Sequence, residues 1–427
     1  MRKNIPWYQF VRLVAVNFAL FFFYKKVEVK GLEKIPKNKP LLLVPNHQNS
    51  FMDALVVTVN YKPITYYLTR AKAFKPRFIG ALISSLNMLP VYRVRDGFSS
   101  IQKNKEIFER CLDYLAKGSA ILIFAEANHD LKRRLRPLSK GFTRIAFDAE
   151  IQNNWEFGMH IQPVGVNYGD HRHSRNHVSV VFGDPIPISD FKELYEKDER
   201  KAANELKNRT AENMKPLIMH VPKLDQYNVH RLILDELEPK RELIANADLM
   251  NERVAEVAKE AKEEVIQKAD RVSELAEKFA VNIRMAAGLI KTRWNIFAFF
   301  PVYLFAYLNN IIPYQPIRNI VDNKIEDHAF DASIKLLLGL LVFPTFYILV
   351  TLILWLVGVP PLYVLGYLVI SIFTCRFFKS AKDIFKHKEE RKKLQQFAKQ
   401  HPEEYAEFIG LIEEFKSLRN SLFPVNE

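Results

Sequence analysis

The chain has 427 residues, enough for one core of ordinary size with about 150 to 200 residues to spare. Its 62 Lys and Arg against 48 Asp and Glu leave a formal charge of +14, a bias that suits nucleic acid, anionic lipid or a small phosphorylated substrate. The two cysteines, Cys111 and Cys375, lie far apart, with no Cys-x-x-Cys spacing and no histidine cluster beside them. Neither a disulfide framework nor a zinc site is indicated, and the compartment reads as reducing.

The first element is an apolar run from Leu13 to Tyr24, broken only by Asn17 and closed by Lys25 and Lys26. It is too short for a signal peptide and is followed by a basic pair, not by small residues. Residues 1–26 therefore read as an interfacial membrane helix, with Trp7 and Tyr8 at head-group depth. A buried helix of a soluble domain is the alternative.

Residues 27–190 alternate short apolar runs with helical stretches. Strands are expected at Pro40–Pro45, Ala120–Phe124, Ile161–Val166 and Val178–Gly183. Helices are expected over 101–117, where Ile107, Cys111, Tyr114 and Leu115 share a face, and over 142–149. The alternation predicts an α/β layer architecture. Residues 191–290 change to charged, Ala/Glu/Lys-rich sequence with one apolar face through Val254, Val257, Ala261 and Val265, and read as a solvated helical insert.

Residues 291–378 read as a membrane region. Leu336 to Val357 carries no charge over 22 residues, long enough to cross a bilayer core of about 30 Å. After a break at Gly358, Pro360 and Pro361, a second apolar run reaches Phe378, so a transmembrane hairpin over about 336–357 and 360–378 is expected. The segment 295–313 contains Pro301, Asn309 and Asn310 and reads as either a third span or an interfacial segment. Seven Lys and Arg between Lys379 and Lys393 open a basic helical tail, 379–427, which the positive-inside rule places in the cytoplasm. If the N-terminal domain lies there too, an even number of spans is required; two spans satisfy this most simply and make 295–313 interfacial. Anionic lipid is thus the partner for the basic excess; no finger, RNP-like strand or basic zipper points to nucleic acid.

The chemistry-bearing segment is Asn46-His47-Gln48-Asn49-Ser50-Phe51-Met52-Asp53, directly after the Pro40–Pro45 strand. Asp53 is the only acid between Glu33 and Asp96, an interval holding ten Lys and Arg. From these residues alone two readings stand: a general base with its orienting carboxylate, or a helix-capping aspartate beside a core histidine.

The segment resembles the first motif of the glycerol-phosphate and lysophosphatidate acyltransferase family, a His-x4-Asp dyad. Three further blocks follow in family order. Leu89-Pro90-Val91-Tyr92-Arg93 is similar to the second motif, Phe124-Ala125-Glu126-Ala127-Asn128 to the third (usually Phe-Pro-Glu-Gly), and Ile161-Gln162-Pro163-Val164 to the fourth. The resemblance covers about residues 25–190. It implies an acyltransferase domain with a mixed sheet flanked by helices, followed here by the helical insert and the C-terminal transmembrane hairpin. It implies catalysis by His47 and Asp53, and binding of the acceptor's phosphate at Arg93 and Glu126, with Arg95 and Lys72 as further candidates. Pro163 and Val164 would lie on the acyl-donor side. Acyl-CoA or acyl carrier protein enters as co-substrate, with no cofactor and no metal.

Two departures stand out: five residues, not four, separate His47 from Asp53, and Ala125 and Ala127 replace the third motif's proline and glycine. The longer spacing also occurs in the subgroup acting on glycerol-3-phosphate or dihydroxyacetone phosphate. That subgroup's reaction, on the cytoplasmic face of a membrane, is therefore the expected function. Acylation of lysophosphatidate and a non-catalytic membrane scaffold are the rivals. Cys111 reads as core, Lys140 as a solvated base, and His171 and His173 as a surface loop, not metal ligands.

Overall fold

A computed structural model describes residues 5–61, 63–92, 99–290 and 299–424. The chain forms two compact units, Met1–Arg172 with Asn176–His220, and Val221–Glu427 with His173–Arg175.

The first unit is built on one mixed sheet. Its strands are β1 (Lys26–Lys30), β2 (Leu41–Pro45), β3 (Thr65–Arg70), β4 (Met88–Val91), β5 (Ala120–Leu122), β6 (His160–Tyr168), β7 (His177–Phe182) and β8 (Ile186–Pro187). The spatial order is β1-β7-β6-β2-β5-β3-β4, with β8 paired to β6. Only the β6–β7 and β6–β8 pairings are antiparallel. The central strand β2 lies between β5 and β6, parallel to both, so its apolar run is covered on both faces. Leu41 to Val44 are at most 1% exposed.

Helices Ser99–Ala116 and Gly141–Ile151 cover the sheet, contributing Cys111, Leu115, Phe142, Ala146 and Phe147 to one core. This core extends past the expected boundary at 190, because helix Glu199–Met214 adds Ala202, Leu206 and Met214 to it. The segment after that helix straps onto β6: Asn167 donates to the Leu217 carbonyl at 2.9 Å and accepts from Met219 N–H at 2.9 Å. A Cβ on Gly165 would lie 2.1 Å from the Leu217 oxygen, so only glycine admits that approach.

The N-terminal helical stretch Ile5–Phe23 is fastened along one face. Tyr8 shares a hydrogen bond with Tyr67, and Arg12, 4% exposed, donates to the carbonyls of Tyr61 and Pro63. Its opposite face, with Phe10, Val14, Phe18 and Phe21, is exposed.

The second unit is helical. The expected insert divides into helices Ala247–Glu260, capped by Asn246, and Glu263–Lys278. The latter lies beside the last helix, Pro402–Leu422, through Lys268 to Glu414, a two-pronged Arg271 to Glu407 pair, and Lys278 to Glu404. Glu238, 1% exposed, holds both Arg253 and Arg419.

Among the described residues, three helical stretches are long and apolar enough to cross a membrane: Ile5–Phe23, His328–Leu356 and Pro361–Gln400. The last two contain the expected hairpin. Of the segment 295–313, residues 295–298 lie outside the described residues, and the rest begins helix Phe300–Lys324. That helix packs its asparagines inward: Asn309 bonds Tyr367 and Ser371, and Asn310 accepts from Tyr347.

Candidate active site

The parallel strands β2, β5, β3 and β4 all end on the same edge of the sheet. The first three sequence blocks lie at those ends, where ligands of open α/β sheets gather. His47 stands two residues beyond β2, and Phe124 to Glu126 follow β5. Arg93 and Arg95, beyond β4, lie outside the described residues. Lys72 sits exposed in the turn after β3. Pro163 and Val164 are buried in β6, paired with Val44 and Pro45. Lys140 is exposed at the start of helix Gly141–Ile151.

His47 and Asp53 meet. Nδ1 of His47 is 2.9 Å from Oδ2 of Asp53, with Asp53 wholly buried and the His47 side chain 13% exposed. Asp53 does not cap its own helix, Phe51–Val59. Instead it accepts the main-chain N–H groups of Gln48 and Asn49 at 2.9 and 2.8 Å, and the Tyr168 hydroxyl at 2.8 Å. With its oxygens so surrounded, Asp53 fixes the ring as the Nδ1–H tautomer and leaves Nε2 as the basic nitrogen.

The wider spacing is absorbed at Ser50, whose φ of 47° and ψ of −126° lie outside the regions favoured by L-residues. A buried residue held there costs about 1–3 kcal/mol, which the hydrogen bonds around Asp53 must offset. Ala127, where the family motif has glycine, takes a φ of 65°. The left-handed turn is therefore kept without the glycine.

Asn46 braces the strand end by exchanging hydrogen bonds with the Val166 main chain across to β6. The ring of Phe124 stacks on the His47 imidazole with centroids 3.8 Å apart, and His129 meets it edge-on at 5.4 Å. Glu126 accepts the His47 main-chain N–H on one oxygen at 3.0 Å, and on the other the Arg136 side-chain Nε at 2.9 Å and main-chain N–H at 3.2 Å. Arg136 Nη2 is buried without a partner among the described residues, so the guanidinium keeps a donor in reserve.

Burial sets the electrostatics. It lowers the His47 pKa below the ordinary 6.5 although Asp53 pulls it up, with His129 and Arg136 adding to the depression. A buried imidazole that stays neutral near pH 7 suits a general base. Burial pushes Glu126 up to about 7 against the opposing charge of Arg136. The Cys111 thiol, fully buried, is pushed up to about 12 and is no nucleophile.

Tyr168 and Arg136 are site residues that the sequence did not single out. The surface loop expected for His171 is corrected: His171 is buried, its Nε2 donating to Gln48 at 3.1 Å while its carbonyl accepts from Asn49 at 2.9 Å. A tyrosine closing an apolar strand was the available signal for Tyr168. Arg136 was hidden in a basic run, Lys132 to Arg136.

A family model described as acyltransferase matches residues 26–167, the span that carries the sheet edge and the His47–Asp53 pair. Residues 26–167 are a domain of the acyltransferase family. An uncharacterized acyltransferase of Schizosaccharomyces pombe is 21% identical to this chain over 273 residues, covering 44% of this chain and 40% of the yeast protein. The chain thus aligns with about two fifths of that relative's length. The crystal structure of the 1-acyl-sn-glycerophosphate (LPA) acyltransferase PlsC of Thermotoga maritima is also similar, at 20% identity and a TM-score of 0.34, covering 50% of this chain and 84% of that one. The helical unit from Val221 onward lies outside the family match.

Proposed function

We propose that the chain transfers a fatty acyl group from an acyl thioester, acyl-CoA or acyl carrier protein, to a hydroxyl of glycerol-3-phosphate or dihydroxyacetone phosphate. The work takes place at the cytoplasmic face of a membrane. The observation that carries this reading is the 2.9 Å contact between His47 and the buried Asp53, which leaves Nε2 to take the acceptor's proton.

As Nε2 removes that proton, the hydroxyl oxygen attacks the thioester carbonyl and the new C–O bond forms. The C–S bond then breaks, and the leaving thiolate recovers the proton from the imidazolium. Asp53 stabilises the imidazolium while it exists. The thioester is already activated, so no acyl-enzyme is needed. Arg93, Arg95 and Lys72 are the cations assigned to the acceptor phosphate, where a guanidinium fork matches two oxygens. Glu126, held between His47 and Arg136, ties that region to the base.

The dyad spacing and the apolar hairpin favour the first acylation over acylation of lysophosphatidate. A panel of acceptors with labelled acyl-CoA, run on the purified full chain, decides between them. Turnover on glycerol-3-phosphate or dihydroxyacetone phosphate is expected, and turnover on lysophosphatidate alone would replace that acceptor. His47→Ala should lose about 10²- to 10⁴-fold in kcat; activity that survives it sinks the mechanism.

A further inference from the structure

Helix Arg77–Ser85 joins β3 to β4 at the side of the sheet. Phe78 is 71% exposed and Leu82 53%, one turn apart on the same face. Its opposite face is seated so closely that a Cβ on Gly80 would lie 2.5 Å from the Phe74 carbonyl oxygen. The exposed face is therefore held outward by the packing of the inner one.

Two neighbouring features say what covers it. Arg70, Lys75 and Arg77 surround the helix start, all exposed and none in an ion pair among the described residues. At the other end, Trp7 Nε1 donates to Ser85 Oγ at 3.2 Å, linking this helix to the stretch Ile5–Phe23 with its exposed Phe10, Val14, Phe18 and Phe21. An apolar surface larger than a few side chains, rimmed by unpaired cations, is a lipid-facing surface in physical terms. A protein partner of acidic character would meet the cations but not the length of the aromatic stretch.

We infer that helix Arg77–Ser85 is a second membrane-docking element. Phe78 and Leu82 enter the acyl region of an anionic bilayer, while Arg70, Lys75 and Arg77 hold lipid phosphates. Because the helix starts from the same sheet edge as His47, this docking sets that edge at the lipid surface. The inference stands apart from the choice of acceptor, since it concerns where the edge sits and not what is acylated there.

The test uses the full chain reconstituted in phosphatidylcholine vesicles with or without phosphatidylglycerol. An environment-sensitive label is placed on Phe78→Cys, on Leu82→Cys and, as a water-exposed control, on Lys105→Cys, with the unsubstituted chain labelled in parallel to subtract any signal from Cys375. Brominated acyl chains should quench the first two labels several-fold more than the control, and iodide in the water should do the reverse. Phosphatidylglycerol should strengthen the lipid quenching, and Lys75→Glu with Arg77→Glu should remove that gain. A label on Phe78→Cys that iodide reaches as readily as the control, with no quenching by bromolipid, overturns the inference. So does protection from both quenchers, which would mean that protein covers the face. The readout needs no turnover, so it is unaffected by failure of the proposed reaction.

Discussion

Tyr168, at the end of β6, donates its hydroxyl to Oδ1 of Asp53 at 2.8 Å, so the carboxylate that orients His47 is itself oriented by a strand 115 positions away in the chain. Tyr168→Phe removes that donor and leaves more negative charge for the imidazole. The variant should lose about 1.5–3 kcal/mol of stability, the usual worth of a hydrogen bond to a charged group. The acid limb of kcat/KM should move to higher pH, because a carboxylate with one hydrogen-bond donor fewer attracts the imidazolium more strongly. A limb that moves the other way would show that Tyr168 does not act through Asp53.

Two groups govern the pH profile below neutrality. On the proposed mechanism activity needs neutral His47, whose pKa burial lowers from 6.5, and ionised Glu126, which burial pushes up to about 7. As pH falls, Glu126 gains its proton first and loosens its hold on the His47 main chain and Arg136; His47 follows. Glu126→Gln keeps an oxygen for the His47 N–H but cannot titrate, so its kcat/KM profile should retain only the lower limb. If the upper limb persists, it belongs to another group.

Arg136 opposes the effect of burial on Glu126. Arg136→Gln should therefore shift the Glu126 limb upward and reduce activity at pH 7 more than at pH 9, and Arg136→Lys should restore most of it. A uniform loss at every pH would reduce Arg136 to a packing role.

Ala127 occupies a backbone conformation that glycine adopts without strain. Ala127→Gly should raise stability, by about 1 kcal/mol at most, and leave acyl transfer near its original rate. Thermal unfolding in detergent measures the first, and the acceptor assay the second. A fall in stability would mean that the alanine methyl has packing worth more than the strain.

Glu238 is buried between Arg253 and Arg419. Glu238→Ala leaves both cations without their carboxylate and should cost about 3–5 kcal/mol. The weakened element is helix Pro402–Leu422, so limited proteolysis should release it from the variant first. An unchanged cleavage pattern would show that the surface pairs alone hold that helix.

The strands that were legible in the sequence were the buried ones. β2 and β5 are continuous apolar runs, because both faces of a central parallel strand are covered. β1 alternates charged residues, Lys26, Glu28 and Lys30, with valines at the sheet edge, and β3 ends Leu-Thr-Arg, so neither carries an apolar run. The site shows the same division. His47 and Asp53 are six positions apart and could be read together, whereas Tyr168 reaches Asp53, His171 reaches Gln48 and Arg136 reaches Glu126 only after the sheet has closed. The helix Glu199–Met214 was assigned to the insert by its charged composition, although its few apolar residues complete the core of the first unit.

The contacts from Lys268, Arg271 and Lys278 to Glu414, Glu407 and Glu404 constrain the route of the chain through lipid. Helix Glu263–Lys278 precedes the apolar helices and helix Pro402–Leu422 follows them, yet the two are clasped along their lengths. A polypeptide clasped to itself at both ends of an excursion must come back through the face by which it left. The number of bilayer crossings between Lys278 and Pro402 is therefore even, whichever side the clasp occupies, and reporters fused before and after the excursion must answer from one compartment.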